Sequence, residues 1–140
     1  MDKVVVYVDN MMNIYDLVKS KLGDVYANVF YQTMRADKHG DVGIYLYQGQ
    51  DDLEDMCGNA VYNCIKIHVQ INSEKGNDGL SKALQYLSDF TYRIEKEQSD
   101  MDNIQIISAK HLGPRAVPIG KNEYGILICK CDIDLKYVFI

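Results

Sequence analysis

Three groups of residues in this sequence have types and spacings that suit chemistry, and the first is a set of oxygen ligands. Asp9 and Asn13 lie four residues apart near the start of the chain, and Asp78 ends a Lys-Gly-Asn-Asp segment at 75–78. Carboxylates that converge on Mg²⁺ support phosphoryl chemistry, but several of them must meet at one place. The third acid of such a site would lie at a later strand end, where the segment 108–111, Ser-Ala-Lys-His, offers a cation instead.

These segments resemble two of the three elements of the NYN/PIN-like nucleases. The resemblance implies metal-dependent cleavage of RNA with Asp9 as a ligand, and it requires residues 3–8 to form a strand that ends at Asp9. The missing third acid favours the plainer interpretation, in which Asp9 is a solvent-facing helix residue and Asp78 caps a helix. A metal-dependent nuclease is therefore the less favoured alternative among our functional predictions.

The other two groups lack the partners that their chemistry requires. The acidic run at 51–55 has four carboxylates in five residues, but not the alternating ligands and fixed glycine of a Ca²⁺-binding EF-hand. It predicts a solvated acidic loop within residues 49–58. His111 and Arg115 suit contacts with phosphate, yet no nucleophile or acid stands at a spacing that completes a catalytic pair. They predict a turn with an exposed basic residue.

The cysteines and histidines do not form a metal-binding pattern. Cys129 and Cys131 alternate with Lys130 as in a strand, so both are expected on one buried face as small apolar residues. The sequence shows neither the paired spacing of a zinc site nor a glycine-rich phosphate loop. We therefore predict no catalytic, metal-binding or cofactor-binding residues, and a protein that is not an enzyme. The residues considered are Cys57, Cys64, Cys129, Cys131, His39, His68 and His111.

Composition narrows the class of protein further. The chain has 140 residues, a mass of 16.0 kDa and 47% hydrophobic residues, which suffices for one domain, 1–140, with its own core. Its formal net charge of -5 argues against a general nucleic-acid binder, since phosphate neutralisation requires an excess of Lys and Arg. Apolar runs are too short for a signal peptide or a membrane span. We therefore expect a soluble intracellular protein without a membrane partner.

Hydrophobic spacing predicts two helices and a sheet. Apolar residues recur every three or four positions over 3–22, which favours a helix there over a strand at 3–8 followed by a helix. Strict alternation over 60–72 predicts a strand with one buried and one wet face. We expect an α+β fold, a mainly antiparallel sheet with two helices packed on one face. The other predicted elements are strands at 25–33, 42–48, 103–110 and 124–139 and a helix at 79–94.

The connections between these elements are polar. Residues 34–41 predict a flexible charged loop, and Asn77 or Asp78 predicts the N-cap of the second helix. Pro114 and Pro118 place the residues between them at a sheet edge or outside the ladder, because proline cannot donate a backbone hydrogen bond.

Four stretches resemble the phage tail terminator, or tail completion, family and the related minor capsid and head–tail joining proteins. The C-terminal one has a proline, then glycine, an acid, glycine, and a long alternating strand. The Val-Val-Val start at 4–6 departs from the resemblance, since it is more β-like than the opening helix of that family. The stretches are the amphipathic segment 4–22, the strand 42–49, the strand 62–71 with its following helix 79–94, and residues 113–137.

The resemblance implies small α+β subunits that close into a hexameric ring in the virion tail or neck, assembled in the host cytoplasm. Such a ring caps the tail tube protein, docks on the head connector, and lets DNA pass through its lumen without specific binding. A mildly acidic subunit suits that lumen, because it repels DNA. A cyclic ring needs two different surfaces on each subunit. We expect the strand 60–72 and the loop 49–58 on one side and the polar face of the first helix on the other. The possible interface residues are Arg35, Lys38, Asp51, Asp52, Glu54, Asp55 and Lys121.

Overall fold

The computed structural model of the protein describes residues 3–48, 52–54, 60–96 and 104–139. These residues form two helices and seven strands, which include two short strands, β3 and β6, beyond the five that the hydrophobic spacing predicts. In chain order they are α1 (Lys3–Leu22), β1 (Asn28–Tyr31), β2 (Asp41–Gln48), β3 (Asp52–Glu54), β4 (Ala60–Asn72), α2 (Gly76–Lys96), β5 (Ile104–His111), β6 (Val117–Lys121) and β7 (Leu127–Phe139). The predicted α+β class is confirmed.

The strands pair in the order β1-β2-β4-β7-β5, with β3 and β6 at opposite corners of the sheet. β3 pairs with β4 beyond the end of β2 and nearly continues its register, since Gln48 lies opposite Ile65 and Asp52 lies opposite Tyr62. β5 and β6 pair with successive halves of β7. Every pair is antiparallel except β1 with β2, so the predicted mainly antiparallel sheet is confirmed.

Both helices pack against one face of the sheet, and the core lies between the two layers. Along β4 the side chains of Ile65, Ile67 and Val69 are buried while that of Lys66 is exposed, so the predicted alternation is confirmed. Burial of such aliphatic side chains stabilises the fold by about 1.5–3 kcal/mol each. The fully buried helix side chains include Ile14, Val18, Leu22, Ala83, Leu87, Phe90 and Ile94.

The N-terminal part of the fold differs from the prediction in two respects. The chain is helical from Lys3, so the competing strand at 3–8 is wrong. β1 is shorter than the predicted strand 25–33, and it runs parallel to β2. Gln32 takes a positive φ of 62°, so the chain leaves the extended conformation directly after Tyr31.

The second helix and the acidic segment also differ from the prediction. α2 begins at Gly76, so Asn77 and Asp78 lie inside its first turn and the predicted N-cap is wrong. The early start is possible because Gly79 has no side chain, and a methyl group there would overlap the backbone carbonyl of Glu74. Residues 49–58 are not all loop, since β3 occupies Asp52–Glu54, while the rest of that segment lies outside the described residues.

The proline-bounded segment agrees with the prediction. Pro118 lies in β6, which among the described strands pairs with β7 alone and is therefore an edge strand. Cys129 and Cys131 are buried on the face of β7 that meets the helices, as expected, and burial raises the pKa of both thiols. Cys57 lies outside the described residues.

Candidate interaction surface

The residues of the suggested nuclease site do not meet at a strand end. Asp9 lies within α1, Asp78 lies in the first turn of α2, and residues 108–111 belong to β5. In the described part of the chain, no group of three or more His, Cys, Asp or Glu residues is placed to hold a metal ion. Asp9 therefore does not lie at the end of a strand, as the nuclease interpretation requires.

His111 and Arg115 share one carboxylate, that of Glu95, which the sequence did not single out. The backbone N–H of His111 donates to Glu95 Oε1 at 2.8 Å, and Nδ1 of its ring bonds to the same oxygen. Arg115 Nη1 lies 3.3 Å from Glu95 Oε2, and its guanidinium lies 5.6 Å from the centre of the Tyr92 ring. The cluster joins the last turns of α2 to the end of β5 and the segment that follows it. The two basic residues are thus paired, contrary to the expected exposed turn.

The protonation of Glu95 fits a structural role for this cluster. Burial raises the pKa of the Glu95 carboxyl, but hydrogen bonds from His111 and the charges of His111 and Arg115 outweigh it, and the net pKa is lowered. A carboxylate with a lowered pKa is a weak general base at neutral pH. The cluster therefore acts as a junction between elements.

Arg35 and Lys38, both expected at an interface, belong to a loop that the fold holds in place. Arg35 Nε and Nη2 each donate at 2.8 Å to the carboxylate of Asp41, whose side chain is fully buried. Asn72 Nδ2 donates to the carbonyl oxygens of Arg35 and Lys38 at 2.7 and 3.0 Å. The segment 34–41, predicted to be flexible, is therefore fixed by hydrogen bonds to the sheet.

The sheet face opposite the helices carries a second set of paired charges. His68 Nδ1 lies 2.7 Å from Asp132 Oδ1, and Lys130 Nζ donates to Asp132 Oδ2 at 2.8 Å. Burial raises the pKa of Asp132, but the hydrogen bonds and charges of Lys130 and His68 outweigh it and lower the net pKa. Asp132 is thus paired across the strands with His68 and along β7 with Lys130, as on an ordinary solvated sheet face.

A groove with a volume of about 580 Å³ lies between α2 and the segment 115–118. Its apolar residues Leu80, Leu84 and Ala116 pack against the edge of the core, so the floor of the groove is continuous with the interior. Hydroxyl and amide groups form its walls, and Arg115 is the one charged residue among those that line it. The full lining is Asn77, Leu80, Ser81, Leu84, Gln85, Ser88, Arg115, Ala116 and Pro118. A concave apolar floor with a few polar groups is typical of a binding site.

The strand β6 borders this groove and is open on one side. Pro118, Ile119, Gly120 and Lys121 are all exposed, and Ile119 keeps 49% of its surface in solvent. Because β6 pairs with β7 on one side and with no other described strand, the backbone groups on its other side are available to a partner. Lys121, an expected interface residue, is the last residue of this strand.

Two of the four acidic residues expected at the interface lie at the opposite corner of the sheet. Asp52 and Glu54 are the first and last residues of β3, and Asp51 and Asp55 lie outside the described residues. The described interface candidates thus fall in three places: the fixed loop (Arg35, Lys38), the open edge (Lys121) and the β3 corner (Asp52, Glu54).

Comparisons with known proteins do not assign a family. No family model matches the chain, and no curated protein matches it. Neither helix among the described residues is long and apolar enough to cross a membrane.

Proposed function

We propose that the protein is a structural subunit of the tail terminator type, which forms a hexameric ring that caps the tail tube and joins it to the head connector of a phage or phage-tail-like particle. The order of elements carries the proposal. An opening helix precedes short strands, β4 runs into α2 after three residues, and the chain ends in a strand of 13 residues. This order agrees with the four stretches of sequence that resemble the family.

The two edges of the sheet support a cyclic assembly. A ring joins each subunit to the next through two different surfaces, whereas a two-fold dimer uses one surface twice. The β1 side leads into a loop that Asp41 and Asn72 hold, whereas β6 is an exposed edge strand that ends at Lys121, so the chain offers two different surfaces, as a head-to-tail contact requires. The net charge of -5 suits a channel through which DNA slides, since a mildly acidic wall repels phosphate.

Another neck or head–tail joining protein of similar fold is the alternative within the same class. Such a protein would also form a ring and would also be a component of the virion. The two differ in their partner, because a terminator binds the end of the tail tube, whereas a joining protein binds the connector first. Binding of the purified ring to tube protein or to connector protein therefore distinguishes them.

Native mass spectrometry and negative-stain images of the purified chain test the proposal directly. We expect six-fold rings with a central channel, formed by the protein alone at high concentration or on addition of tail tube protein. The ring should not retain a 30-base-pair duplex at physiological salt. A monomer under all of these conditions would overturn the proposal, and so would Mn²⁺-dependent RNA cleavage that is lost in Asp9→Asn.

A further inference from the structure

We propose that the sheet face opposite the helices, here called the outer face, binds single-stranded nucleic acid. Bases stack on aromatic side chains of β1 and β2, and lysines of β4, β7 and β5 contact the phosphates. The inference goes beyond the proposed function and does not rest on it. It concerns one face of the sheet, whereas the net charge of -5 argues against binding over the whole surface.

The β1–β2 side of the outer face is aromatic. Tyr45 and Tyr47 alternate with buried residues of β2, so both side chains lie on the outer face. Phe30 lies on the same face, because it pairs with Gly43 between Tyr45 and the start of β2. Tyr47 is 52% exposed, so its ring is accessible to a ligand.

The ring of Tyr45 leans along the sheet because Gly43 has no side chain. A Cβ atom added at Gly43 would lie 2.7 Å from Tyr45 Cε2 and 3.0 Å from the Tyr45 hydroxyl oxygen, so the ring lies over that glycine. Gly43 is buried beneath it, while Tyr45 keeps part of its surface in solvent. An aromatic ring that rests on a sheet in this way can stack with a base of an unpaired strand.

Lysines lie on the strands that follow these aromatic residues across the sheet. Lys66 of β4 pairs with Tyr47 and is exposed, and Lys110 is exposed on β5, three strands from β2. Both lysines lie opposite Asp134 of β7, yet neither makes an ion pair among the described contacts. Their ammonium groups are therefore available to phosphates.

Cations exceed acids on the outer face. Its charged residues from β4, β7 and β5 are Lys66, Lys110, Lys130 and Lys136 against Asp132 and Asp134. The Asp132 carboxylate is already paired with His68 and Lys130. A cationic face on a chain of negative net charge favours a polyanion as its ligand. Charges at the centre of the face also disfavour an apolar partner, because burial of unpaired charge costs free energy.

The arrangement of the two sides favours an unpaired nucleic acid strand over an acidic protein. Aromatic side chains lie on one side, and the lysines follow one to three strand spacings away, at about 5–14 Å. A single strand carries bases and phosphates side by side and can use both sets of groups. An acidic peptide would use the lysines alone, and so would a duplex, whose bases stack on one another. Stacking and phosphate contacts do not involve the sugar, so we expect DNA and RNA to bind alike.

Loss of one exposed ring tests the stacking surface. The probe is a fluorescein-labelled oligothymidylate of about 12 nucleotides, whose binding is measured by fluorescence anisotropy at low salt. We expect Tyr47→Ala to raise its Kd at least fivefold. Tyr124→Ala, in the turn between β6 and β7, is the matched control, since Tyr124 is 59% exposed, and it should leave the Kd unchanged. No binding by the natural chain, or an equal effect of the two variants, would overturn the inference.

Gly43→Ala tests the position of the Tyr45 ring while every charge and every aromatic residue is kept. The added methyl group displaces the ring from its place over the sheet, so the Kd should rise several-fold. In a chain that also carries Tyr45→Ala, the same change should have no further effect, because the ring is already absent. Circular dichroism checks that each variant is folded. Natural affinity in Gly43→Ala would overturn the stacking role of Tyr45.

Salt dependence tests the lysines. Each phosphate contact on a single strand contributes about 0.7 to the slope of log K against log salt, so Lys66→Gln with Lys110→Gln should reduce the slope by about 1.4. The matched control is Lys19→Gln with Lys75→Gln, at exposed lysines of α1 and of the segment before α2, and its slope should equal that of the natural chain. Equal slopes in the two double variants would overturn the phosphate contacts.

Competition separates the classes of ligand. An unlabelled oligouridylate of the same length should displace the probe about as well as oligothymidylate does. A duplex of that length and a polyglutamate peptide of equal charge should each require at least tenfold higher concentrations. Equally strong competition by the peptide would overturn the assignment to nucleic acid and favour an acidic protein partner. Binding is measured on the chain whether or not it forms rings, so failure here leaves the ring proposal intact.

Discussion

The β1 and β6 edges of the sheet differ in the hydrogen bonds that residues next to the edge strand make. At the β1 edge, Gln32 follows the last residue of β1 and continues the hydrogen bonding to β2. Its backbone N–H donates to Ile44 O at 2.8 Å, and its side-chain amide bonds to both the N–H and the carbonyl of Leu46. The loop that follows is held by Arg35 and Asp41. The backbone groups on that side of β2 thus find partners within the same chain.

The β6 edge lacks comparable partners among the described residues. Pro118 removes one donor from β6, and four of its five residues are exposed. The Glu95 cluster holds Arg115 at the start of this edge, but it does not cover the strand. Natural proteins protect open edges with proline, with charge or with a bound partner. The difference indicates that the residues after β1 add to the stability of the subunit through their bonds to β2, while the outer side of β6 has no described partner within the chain.

The largest expected effect concerns the closed edge. Arg35→Met leaves the fully buried Asp41 carboxylate without its cation and without two side-chain hydrogen bonds, so the free energy of unfolding should fall. Urea unfolding monitored by circular dichroism measures this loss. Lys38→Met is the matched control, since the fold uses the Lys38 carbonyl and its side chain is exposed. An Arg35→Met variant as stable as Lys38→Met would contradict the assigned role of the closed edge.

The next effect concerns the junction at the start of the open edge. Glu95→Gln removes the charge that His111 and Arg115 surround, and hydrogen bonds to a charged group contribute about 2 kcal/mol. Because the native pKa of Glu95 lies below its ordinary value of 4.5, the ionised form stabilises the fold above that pH, and the benefit is lost as the pH falls through the native pKa.

The pH dependence distinguishes this junction from simple packing. Urea unfolding at pH 7 should show the full difference between the natural chain and Glu95→Gln, and the difference should shrink steadily below about pH 4.5. Asp89→Gln, on the same helix, is a control for the loss of an acid, since Asp89 accepts a hydrogen bond only from Gln85 among the described contacts. A difference that persists unchanged at pH 3 would show that charge is not its cause.

Local spacing predicted much of this fold, and long-range contacts explain what it missed. The alternation in β4 and β7 and the helical period in α1 can be read from the sequence, because the described side chains of each element are buried on one face. The junction between Glu95 and His111 joins residues 16 positions apart, through a helix end and a strand end. Neither residue type nor spacing marks such a pair, because the fold alone brings them together.

The same reasoning applies to the edges. The polar sequence at 34–41 predicts a flexible loop. It does not show that Asp41 and Asn72 lie side by side and hold that loop by hydrogen bonds. Pro118 did predict an edge, since its missing donor is a local property. The groove beside that edge depends on how far α2 lies from β6, which is a property of packing between layers.

A smaller effect is expected where Gln32 completes the closed edge. Gln32→Ala removes the two side-chain bonds to Leu46, and their net contribution is about 1 kcal/mol. Hydrogen exchange of the Leu46 amide should accelerate about fivefold or more, while unfolding by urea shifts only slightly. Thr33→Ala, the neighbouring exposed residue, is the control. Unchanged protection at Leu46 in Gln32→Ala would show that the side chain does not complete the ladder.

The smallest effect on stability is expected at the open edge itself. Ile119→Lys changes a side chain that is 49% exposed, so the free energy of unfolding should stay within about 0.5 kcal/mol of the natural value. A lysine on an edge strand discourages strand addition, so assembly should nevertheless weaken. Ile44→Lys, at a fully buried position of β2 beside the closed edge, should unfold the chain. If Ile119→Lys lowered the free energy of unfolding as much as it weakened assembly, β6 would contribute to the stability of the subunit itself. The proposed contrast between the two edges would then be wrong.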